Sequence, residues 1–194
     1  VDILVNNAGL TQRARFADTS VDVYRRVMEV NYFGPLMLTK AVLPSMIARK
    51  KGHIVALSSV AGKYGSATRS GYCGAKHAVE GLFDALREEV WMDGIDVTVA
   101  VPGAVRTNVS INALTGDGTA YGKMDPFLEA GFAPEDCAAR IVDAVHRRAP
   151  EVTIATGVAR RNAVLKRWSP ALLRWVMRRP ARKRMGKRVA RRPR

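Results

Sequence analysis

Apolar residues gather in four short runs along the chain, at positions 1–6, 54–57, 96–101 and 151–156. Glycine, proline or asparagine closely precedes or follows each run. Apolar runs of roughly four to eight residues with such borders are typical of strands buried on both faces of a parallel sheet. The pattern therefore predicts four buried strands.

The segments between these runs carry apolar residues at helical spacing. The predicted helices cover 20–49, 71–92 and 134–147. In the first of them Val23 and Val27 lie one turn apart, and Ser20 is placed to cap the helix start. Strands that alternate with helices of about ten residues or more predict an α/β fold with a parallel sheet.

Residues 108–133 are rich in glycine and polar residues and show no clear period. A structureless connection of this length is uncommon in a compact domain unless it serves a function. We therefore expect a long loop of the kind that carries a binding site.

The positive charge of the chain is confined to its C-terminal end. The formal net charge is +15, yet residues 1–157 contain 17 Lys and Arg against 17 Asp and Glu. Residues 158–194 contain 15 basic residues and no acidic residue. This shift predicts a body over 1–157 and a basic tail over 158–194. Because the body has no basic surface of its own, we expect no nucleic acid partner.

The tail has an amphipathic character. Five apolar residues fall on one helical face among basic residues: Leu165, Trp168, Leu172, Trp175 and Val176. Ser169 and Pro170 are placed to restart a helix. A basic amphipathic helix with tryptophans favours an anionic membrane surface. The alternatives are a docked C-terminal helix with a solvated basic end, nucleic acid binding, which the lack of a basic groove on the body disfavours, and a nuclear-localisation patch.

The two cysteines, Cys73 and Cys137, are too few for a disulfide scaffold and indicate reduced intracellular thiols. Together with the tail they predict a cytoplasmic protein or one peripheral on an internal membrane. The three histidines show no ligand spacing with each other or with the cysteines, so we expect no metal site.

Ser59, Tyr72 and Lys76 are the strongest candidates for chemistry. Tyr72 and Lys76 are four residues apart on a predicted helix and so project from the same face. A phenol with a pKa near 10 is a poor base at neutral pH, and a neighbouring ammonium favours the phenolate. Ser59 ends a predicted strand, where open α/β sheets bind their ligands, and could hold a reacting oxygen.

The spacing of Ser59, Tyr72 and Lys76 resembles the catalytic signature of the short-chain dehydrogenase/reductase family. Three further segments resemble that family in the right order, namely Asn6-Asn7-Ala8-Gly9, Asn31 in Val30-Asn31-Tyr32-Phe33-Gly34, and Pro102-Gly103-Ala104-Val105-Arg106-Thr107. The resemblance covers roughly residues 1–157 and implies hydride transfer between a nicotinamide cofactor and an alcohol or carbonyl.

The resemblance also implies a role for each residue. Tyr72 would exchange a proton with the substrate oxygen, which Ser59 orients. Lys76 would lower the tyrosine pKa and bind the nicotinamide ribose, and Asn31 would complete the catalytic set through a water linked to the lysine. The implied cofactor contacts are Asn7, Ala8 and Gly9 on the adenine-ribose side, Tyr72 and Lys76 at the ribose, and Pro102, Gly103, Val105 and Thr107 at the nicotinamide.

The implied fold is the C-terminal part of a Rossmann-type doubly wound parallel sheet, with helices on both faces and the first βαβ half missing. The family's Thr-Gly-x-x-x-Gly-x-Gly phosphate-binding motif does not occur in the sequence. Without that loop the sequence offers no binding site for the cofactor pyrophosphate. We therefore expect this chain to be a fragment that is inactive as it stands.

Residues 69–77 and 109–125 resemble the branch of the family around 11-beta-hydroxysteroid dehydrogenase and the dehydrogenase/reductase member 7 group. That likeness implies NADP, with NAD left open, an apolar lipid- or steroid-like substrate, membrane association and a homo-oligomer. The alternative is a non-catalytic relative that binds a membrane or a partner through its basic tail.

Overall fold

The computed structural model describes residues 1–185 and contains one parallel sheet of four strands in sequential order. The strands are β1 (Ile3–Asn6), β2 (Gly52–Leu57), β3 (Ile95–Pro102) and β4 (Glu151–Ile154). Each matches an apolar run of the sequence to within two residues. The predicted α/β fold with a parallel sheet is confirmed.

Eight α-helices connect and flank the strands. They are α1 (Val21–Met28), α2 (Gly34–Arg49), α3 (Val60–Lys63), α4 (Ser70–Val90), α5 (Pro126–Glu129), α6 (Pro134–His146), α7 (Gly157–Trp168) and α8 (Pro170–Met185). Two 3-10 turns, Phe16–Asp18 and Trp91–Asp93, and a π turn, Glu29–Phe33, are also present. The short α3 and α5 were not predicted, because four residues are too few to show a helical period.

The helix predicted over 20–49 is interrupted by a π turn over Glu29–Phe33. Pro35 has no backbone N–H, so it cannot donate the usual hydrogen bond to the residue 31 carbonyl. The Gly34 N–H instead bonds the Glu29 carbonyl, one residue further back than in an α-helix. Ser20 caps α1 as predicted, since its side chain accepts a hydrogen bond from the Val23 N–H at 3.4 Å.

The main core lies between the sheet and the helices that cover it. Ile54 of β2 and Val99 of β3 pack with Phe83 of α4 and Met46 of α2, and all four are buried. Gly52 lies so close to Met46 that a Cβ atom at position 52 would come within 2.5 Å of its sulfur. This packing fixes α4 across the sheet and places its first turns beside the carboxyl end of β2.

The tail folds back onto the body as two helices. Ser169 separates α7 from α8, so the predicted restart at Ser169 and Pro170 is confirmed. Ala159 and Leu173 are buried, which agrees with the docked-helix alternative. The five apolar residues of the tail differ in exposure: Leu165 and Val176 are half-buried, whereas Trp168, Leu172 and Trp175 are exposed.

The last nine residues of the basic tail, 186–194, lie outside the described residues. Within residues 1–185, no helix combines the length and the apolar content that a membrane span requires.

Candidate active site

A cleft of about 610 Å³ opens at the carboxyl ends of the strands. Its walls come from the residues that follow β1, β2 and β3 and from the faces of α4 and α6. Open parallel sheets bind ligands at this edge because loops and helix starts converge there. Two of the candidate residues, Tyr72 and Lys76, project into this cleft from the start of α4.

Lys76 lies in the floor of the cleft. Its Nζ donates a hydrogen bond to the Leu57 backbone oxygen at 2.7 Å and lies 5.7 Å from the centre of the Tyr72 ring. The side chain is buried, and this burial lowers the pKa of the Lys76 ammonium to about 8. The group is still mostly charged at pH 7 and has N–H groups left for a ligand.

The surroundings of the Tyr72 phenol shift its pKa in opposite directions. Burial raises its pKa above the ordinary value for tyrosine, and this effect is the largest. A hydrogen bond with Ser59 and the positive charges of Arg69 and Arg13 lower the same pKa. The resting phenol therefore keeps its proton at neutral pH, while the neighbouring cations favour the phenolate when a proton is lost.

Ser59 is held between β2 and α4. It is the N-cap of α3, and its Oγ accepts a hydrogen bond from the Ala61 N–H at 3.2 Å. The preceding Ser58 donates to the Glu80 carboxylate at 2.7 Å, which anchors this turn to α4. The Ser59 hydroxyl therefore lies next to Tyr72 in a fixed position.

Asn31 lies in the π turn and is fully buried. Its Nδ2 donates to the backbone oxygens of Leu10 and Val27, both at 2.7 Å, and its Oδ1 accepts from the Leu10 N–H at 3.3 Å. Asn31 thus fastens the loop after β1 to the helix and is a positioning residue in this arrangement.

The residues expected to hold a cofactor are brought together. Asn7, Ala8, Gly9, Pro102, Gly103, Val105 and Thr107 all line the same cleft as Tyr72 and Lys76. Gly9 lies above the lysine, since a Cβ atom at that position would be 4.0 Å from the Lys76 Nζ and 3.5 Å from the Asn31 Oδ1. The absence of a side chain there leaves room above a buried cation. This arrangement fits the nicotinamide and ribose half of a dinucleotide.

Sequence reasoning missed three residues that the structure places at the site. Gln12 is fully buried, and its Oε1 accepts a hydrogen bond from the Tyr72 N–H at 2.9 Å. The side chains of Arg13 and Arg69 are 8% and 12% exposed, and both line the cleft. Their only sequence signal is proximity to the two recognised segments, because Arg13 comes four residues after Gly9 and Arg69 three residues before Tyr72.

Both arginines form ion pairs with one carboxylate. Asp125 Oδ2 lies 2.7 Å from Arg13 Nη2 and 2.9 Å from Arg69 Nη2. Asp125 also caps α5, since its other oxygen accepts from the Phe127 N–H at 3.0 Å. The long loop over 108–133 is thus fastened to the residues beside Tyr72. Among residues 1–185, no group of three or more His, Cys, Asp or Glu side chains is placed to hold a metal ion.

Comparison with known proteins gives matches over most of the chain. The family model described as short chain dehydrogenase matches residues 1–117. Dehydrogenase/reductase SDR family member 7B of Xenopus laevis is 47% identical over 184 residues, which cover 95% of this chain and 57% of that protein. The chain therefore spans a little over half the length of this relative.

Solved structures are similar over most of the chain. A short chain dehydrogenase from Burkholderia cenocepacia J2315 in complex with NADP matches with a TM-score of 0.76 at 21% identity, over 92% of this chain and 69% of that one. This likeness shows the fold. 4-Hydroxyisoleucine dehydrogenase complexed with NADH matches with a TM-score of 0.64 at 25% identity, over 80% of this chain and 66% of that one.

Proposed function

This chain belongs to the short-chain dehydrogenase family, and on that premise we propose that it interconverts an alcohol and a carbonyl as an NAD(P)-dependent oxidoreductase. The observation that carries the proposal is the convergence of Ser59, Tyr72 and Lys76 in one cleft with the loops after β1 and β3. A helical tyrosine and lysine alone occur in many proteins. A buried lysine beneath a phenol that bonds a fixed serine is a far more specific arrangement.

The proton moves at the Tyr72 hydroxyl. In the direction of reduction this phenol, protonated at rest, donates to the substrate oxygen that the Ser59 hydroxyl holds. In the direction of oxidation it accepts the proton, and the charges of Arg69 and Arg13 favour the resulting phenolate. The chain contributes positions and charges, because the nicotinamide supplies or accepts the hydride when it is bound.

The other site residues bind and orient. Lys76 offers its remaining N–H groups to the nicotinamide ribose, because its bond to the Leu57 oxygen fixes the ammonium in the floor of the cleft. Asn31 holds the loop that carries Asn7 and Gly9. The proposed nicotinamide contacts are Pro102, Gly103, Val105 and Thr107, which follow β3.

The cofactor in this proposal is NADP, on the resemblance of residues 69–77 and 109–125 to the member 7 branch, with NAD as the alternative. Residues 1–194 contain no glycine-rich phosphate motif. We propose that they bind the dinucleotide weakly and do not turn over substrate without the further sequence that longer relatives contain. An apolar substrate is supported by Val109, Leu128 and Ile141, which line the cleft.

The test compares two proteins, the longest open reading frame that contains residues 1–194 and residues 1–194 alone. Each is titrated with NADPH and NADH by fluorescence. Tight binding of one cofactor by the longer protein, with weak binding by the shorter, is the expected result. Failure of a folded longer protein to bind either cofactor would overturn the oxidoreductase proposal in favour of a non-catalytic relative.

A second function, attachment to an anionic membrane surface, is supported by the tail. Trp168, Leu172 and Trp175 are 81%, 46% and 70% exposed, and the basic residues Arg167, Arg174 and Arg178 flank them in sequence. Exposed tryptophans amid cations are typical of helices that lie in a membrane interface. This surface supports the expected peripheral location on an internal membrane.

The measurement is sedimentation with phosphatidylglycerol vesicles. We expect replacement of Trp168 and Trp175 by alanine to abolish cosedimentation, whereas Phe127→Ala, which removes an aromatic side chain that is 51% exposed in α5, leaves it unchanged. Equal sedimentation of all three proteins would overturn this proposal.

We also propose a homo-oligomer that forms through α2 and the end of α4. Met37 and Leu38 of α2, and Trp91 and Met92 in the 3-10 turn that follows α4, are all more than half exposed. Such large apolar side chains are typical of a surface that another chain covers. Light scattering is expected to give a dimer mass for the wild type and a monomer mass for Leu38→Glu; a monomeric wild type would contradict this.

A further inference from the structure

Three side chains of α4 contact three successive residues at the end of β2. Tyr72, Lys76 and Glu80 follow one another at four-residue spacing and so lie on one face of the helix. Their partners are, in that order, the Ser59 hydroxyl, the Leu57 backbone oxygen and the Ser58 hydroxyl. The first two contacts belong to the proposed catalytic residues, whereas the proposed proton transfer does not use the third.

The Glu80 carboxylate is held by two partners. One oxygen accepts a hydrogen bond from the Ser58 Oγ at 2.7 Å, and the other lies 2.9 Å from the Lys63 Nζ. The Glu80 side chain is 12% exposed. A carboxylate buried to this extent needs a cation and hydrogen bonds to compensate its lost hydration, so these contacts fix its position. Lys63 also lies 2.6 Å from Glu151 at the start of β4, which ties the same network to the edge of the sheet.

Gly62 leaves the space in which these groups meet. A Cβ atom at position 62 would lie 2.5 Å from the Glu80 Oε1, 2.6 Å from the Ser58 Oγ and 2.9 Å from the Lys76 backbone oxygen. All three separations are shorter than an ordinary van der Waals contact. A side chain at position 62 would therefore displace the hydrogen bond between Ser58 and Glu80 or push α4 away from the turn that carries Ser59.

We propose that Glu80 is a positioning residue of the proposed active site. It acts through Ser58 to hold the Ser59 hydroxyl against the Tyr72 phenol. Because β2 ends at Leu57, the ladder of the sheet alone does not fix the chain at Ser59. The Ser58 side chain supplies a further attachment one residue away, and its anchor is the Glu80 carboxylate. This inference rests on the proposed function and adds a residue that supports its proton donor.

A purely structural role would give the same contacts. In that case Lys63 and Glu80 fasten α3 to α4, and their loss lowers the stability of the fold without a specific effect on Tyr72. The two roles differ in one observable, the hydrogen bond between the Ser59 and Tyr72 hydroxyls. A measurement of that bond in the resting protein separates them.

The experiment records the Cζ resonance of Tyr72 by carbon nuclear magnetic resonance. The protein is the longest open reading frame that contains residues 1–194, isotope-labelled at the tyrosine Cζ and free of added cofactor and substrate. The chemical shift of this carbon depends on the hydrogen bonds of the phenol oxygen. Tyr72→Phe identifies the resonance by its loss, and Ser59→Ala shows where the resonance lies when the serine bond is absent.

The variants perturb the Ser58–Glu80 contact in different ways. Glu80→Ala removes the carboxylate, Ser58→Ala removes its donor, and Gly62→Ala crowds the space between them. Glu80→Gln removes the charge but retains an amide that can bond the Ser58 hydroxyl, since a hydroxyl both donates and accepts. The control, Asp143→Ala, removes an exposed carboxylate of α6 that is paired with Arg147. The urea midpoint of each protein is measured in parallel.

We expect the alanine variants at positions 58, 62 and 80 to move the Tyr72 resonance by more than half of the shift that Ser59→Ala causes. Glu80→Gln should keep the wild-type resonance, because it restores a bond to Ser58, and Asp143→Ala should keep it as well. If Glu80→Ala or Gly62→Ala does not fold, Ser58→Ala decides alone, since it leaves Glu80 paired with Lys63.

Four results would overturn the positioning role. They are a wild-type resonance in Ser58→Ala or in a folded Glu80→Ala, an equal shift in Glu80→Gln and Glu80→Ala, a shift in Asp143→Ala, and no shift in Ser59→Ala. A lowered urea midpoint with an unmoved resonance would assign the network to stability alone. Because the resonance is recorded without cofactor or turnover, failure of the oxidoreductase proposal is scored separately, by the cofactor titration.

Discussion

The Tyr72 backbone N–H donates a hydrogen bond to the side-chain oxygen of Gln12 at 2.9 Å, so a residue of the loop after β1 holds the first turn of α4. Gln12 is fully buried, and its Nε2 lies 3.4 Å from the Ser70 hydroxyl. One side chain therefore links the loop that follows the first strand to the helix that carries the proposed proton donor.

Gln12→Leu is expected to destabilise the fold by about 1–3 kcal/mol, because it leaves the Tyr72 N–H without its acceptor in a buried place. Urea unfolding measures the loss. Ser45→Ala is the control, since it removes an exposed hydrogen bond to Arg49 and should cost less. Wild-type stability of Gln12→Leu would contradict the linking role.

Tyr72→Phe in the longer reading frame is expected to lower turnover by a factor of about 10²–10⁴, the usual contribution of a positioned proton donor. Cofactor affinity should change little, because the ring and the Lys76 contact beneath it are retained. Turnover and NADPH titration are measured on the same preparation. Tyr121→Phe, in the loop after β3, is the control; wild-type turnover by Tyr72→Phe would refute the proposed proton transfer.

The stability of the fold is expected to depend on pH through Lys76. Its folded pKa is about 8, below the ordinary lysine value of about 10.4. Between these two values the unfolded chain holds a proton that the folded chain has released. The Lys76 contribution to the free energy of unfolding therefore rises with pH across this window and is constant below it.

Urea unfolding of the wild type and of Lys76→Met from pH 7 to 10 tests this dependence. The free energy of unfolding of the wild type minus that of Lys76→Met should increase as pH rises. For the exposed Lys40→Met of α2, the difference from the wild type should stay constant. A pH-independent difference for Lys76→Met would show that the lysine is not desolvated as described.

Gly9→Ala is expected to fold normally, because the added Cβ would meet its nearest atoms at 3.5 and 4.0 Å. The methyl group would nevertheless occupy space beside the Lys76 ammonium. We expect cofactor affinity to fall roughly tenfold, which corresponds to about 1.4 kcal/mol. Gly74→Ala, where the structure leaves open space on α4, is the control and should keep full affinity. Unchanged cofactor affinity in Gly9→Ala would show that the loop after β1 does not contact the cofactor.

The sequence was sufficient to predict the elements whose pattern is local. The runs that contain Ile54 and Val99 became adjacent parallel strands, and Tyr72 and Lys76 lie on one helix beside Ser59 as expected. The parallel sheet follows from the alternation of strands and helices along the chain, because strands that are joined by helical crossovers run parallel. The expected cofactor residues also share one cleft.

What the sequence did not reveal depends on contacts between distant segments. Gln12 and Arg13 are single polar residues in a loop, and nothing local distinguishes them from solvated residues. Their importance arises because α4 and Asp125, far along the chain, approach them in the fold. Amphipathic spacing also left open whether the tail is docked or exposed, because the packing of α7 and α8 decides which side of each helix is covered.

The π turn over Glu29–Phe33 has a geometric consequence for the two helices that it joins. Each residue of an α-helix advances about 100° around the axis, so a turn with a wider period shifts the angular phase of everything that follows. Val27 of α1 packs with Ala75 and Leu114, whereas Met46 of α2 packs against the sheet. The two helices therefore form one helical segment whose first half packs against α4 and the long loop and whose second half packs against the sheet. Deleting a single residue from the π turn would rotate α1 relative to α2, so that Val27 and Met46 could no longer both face their packing partners.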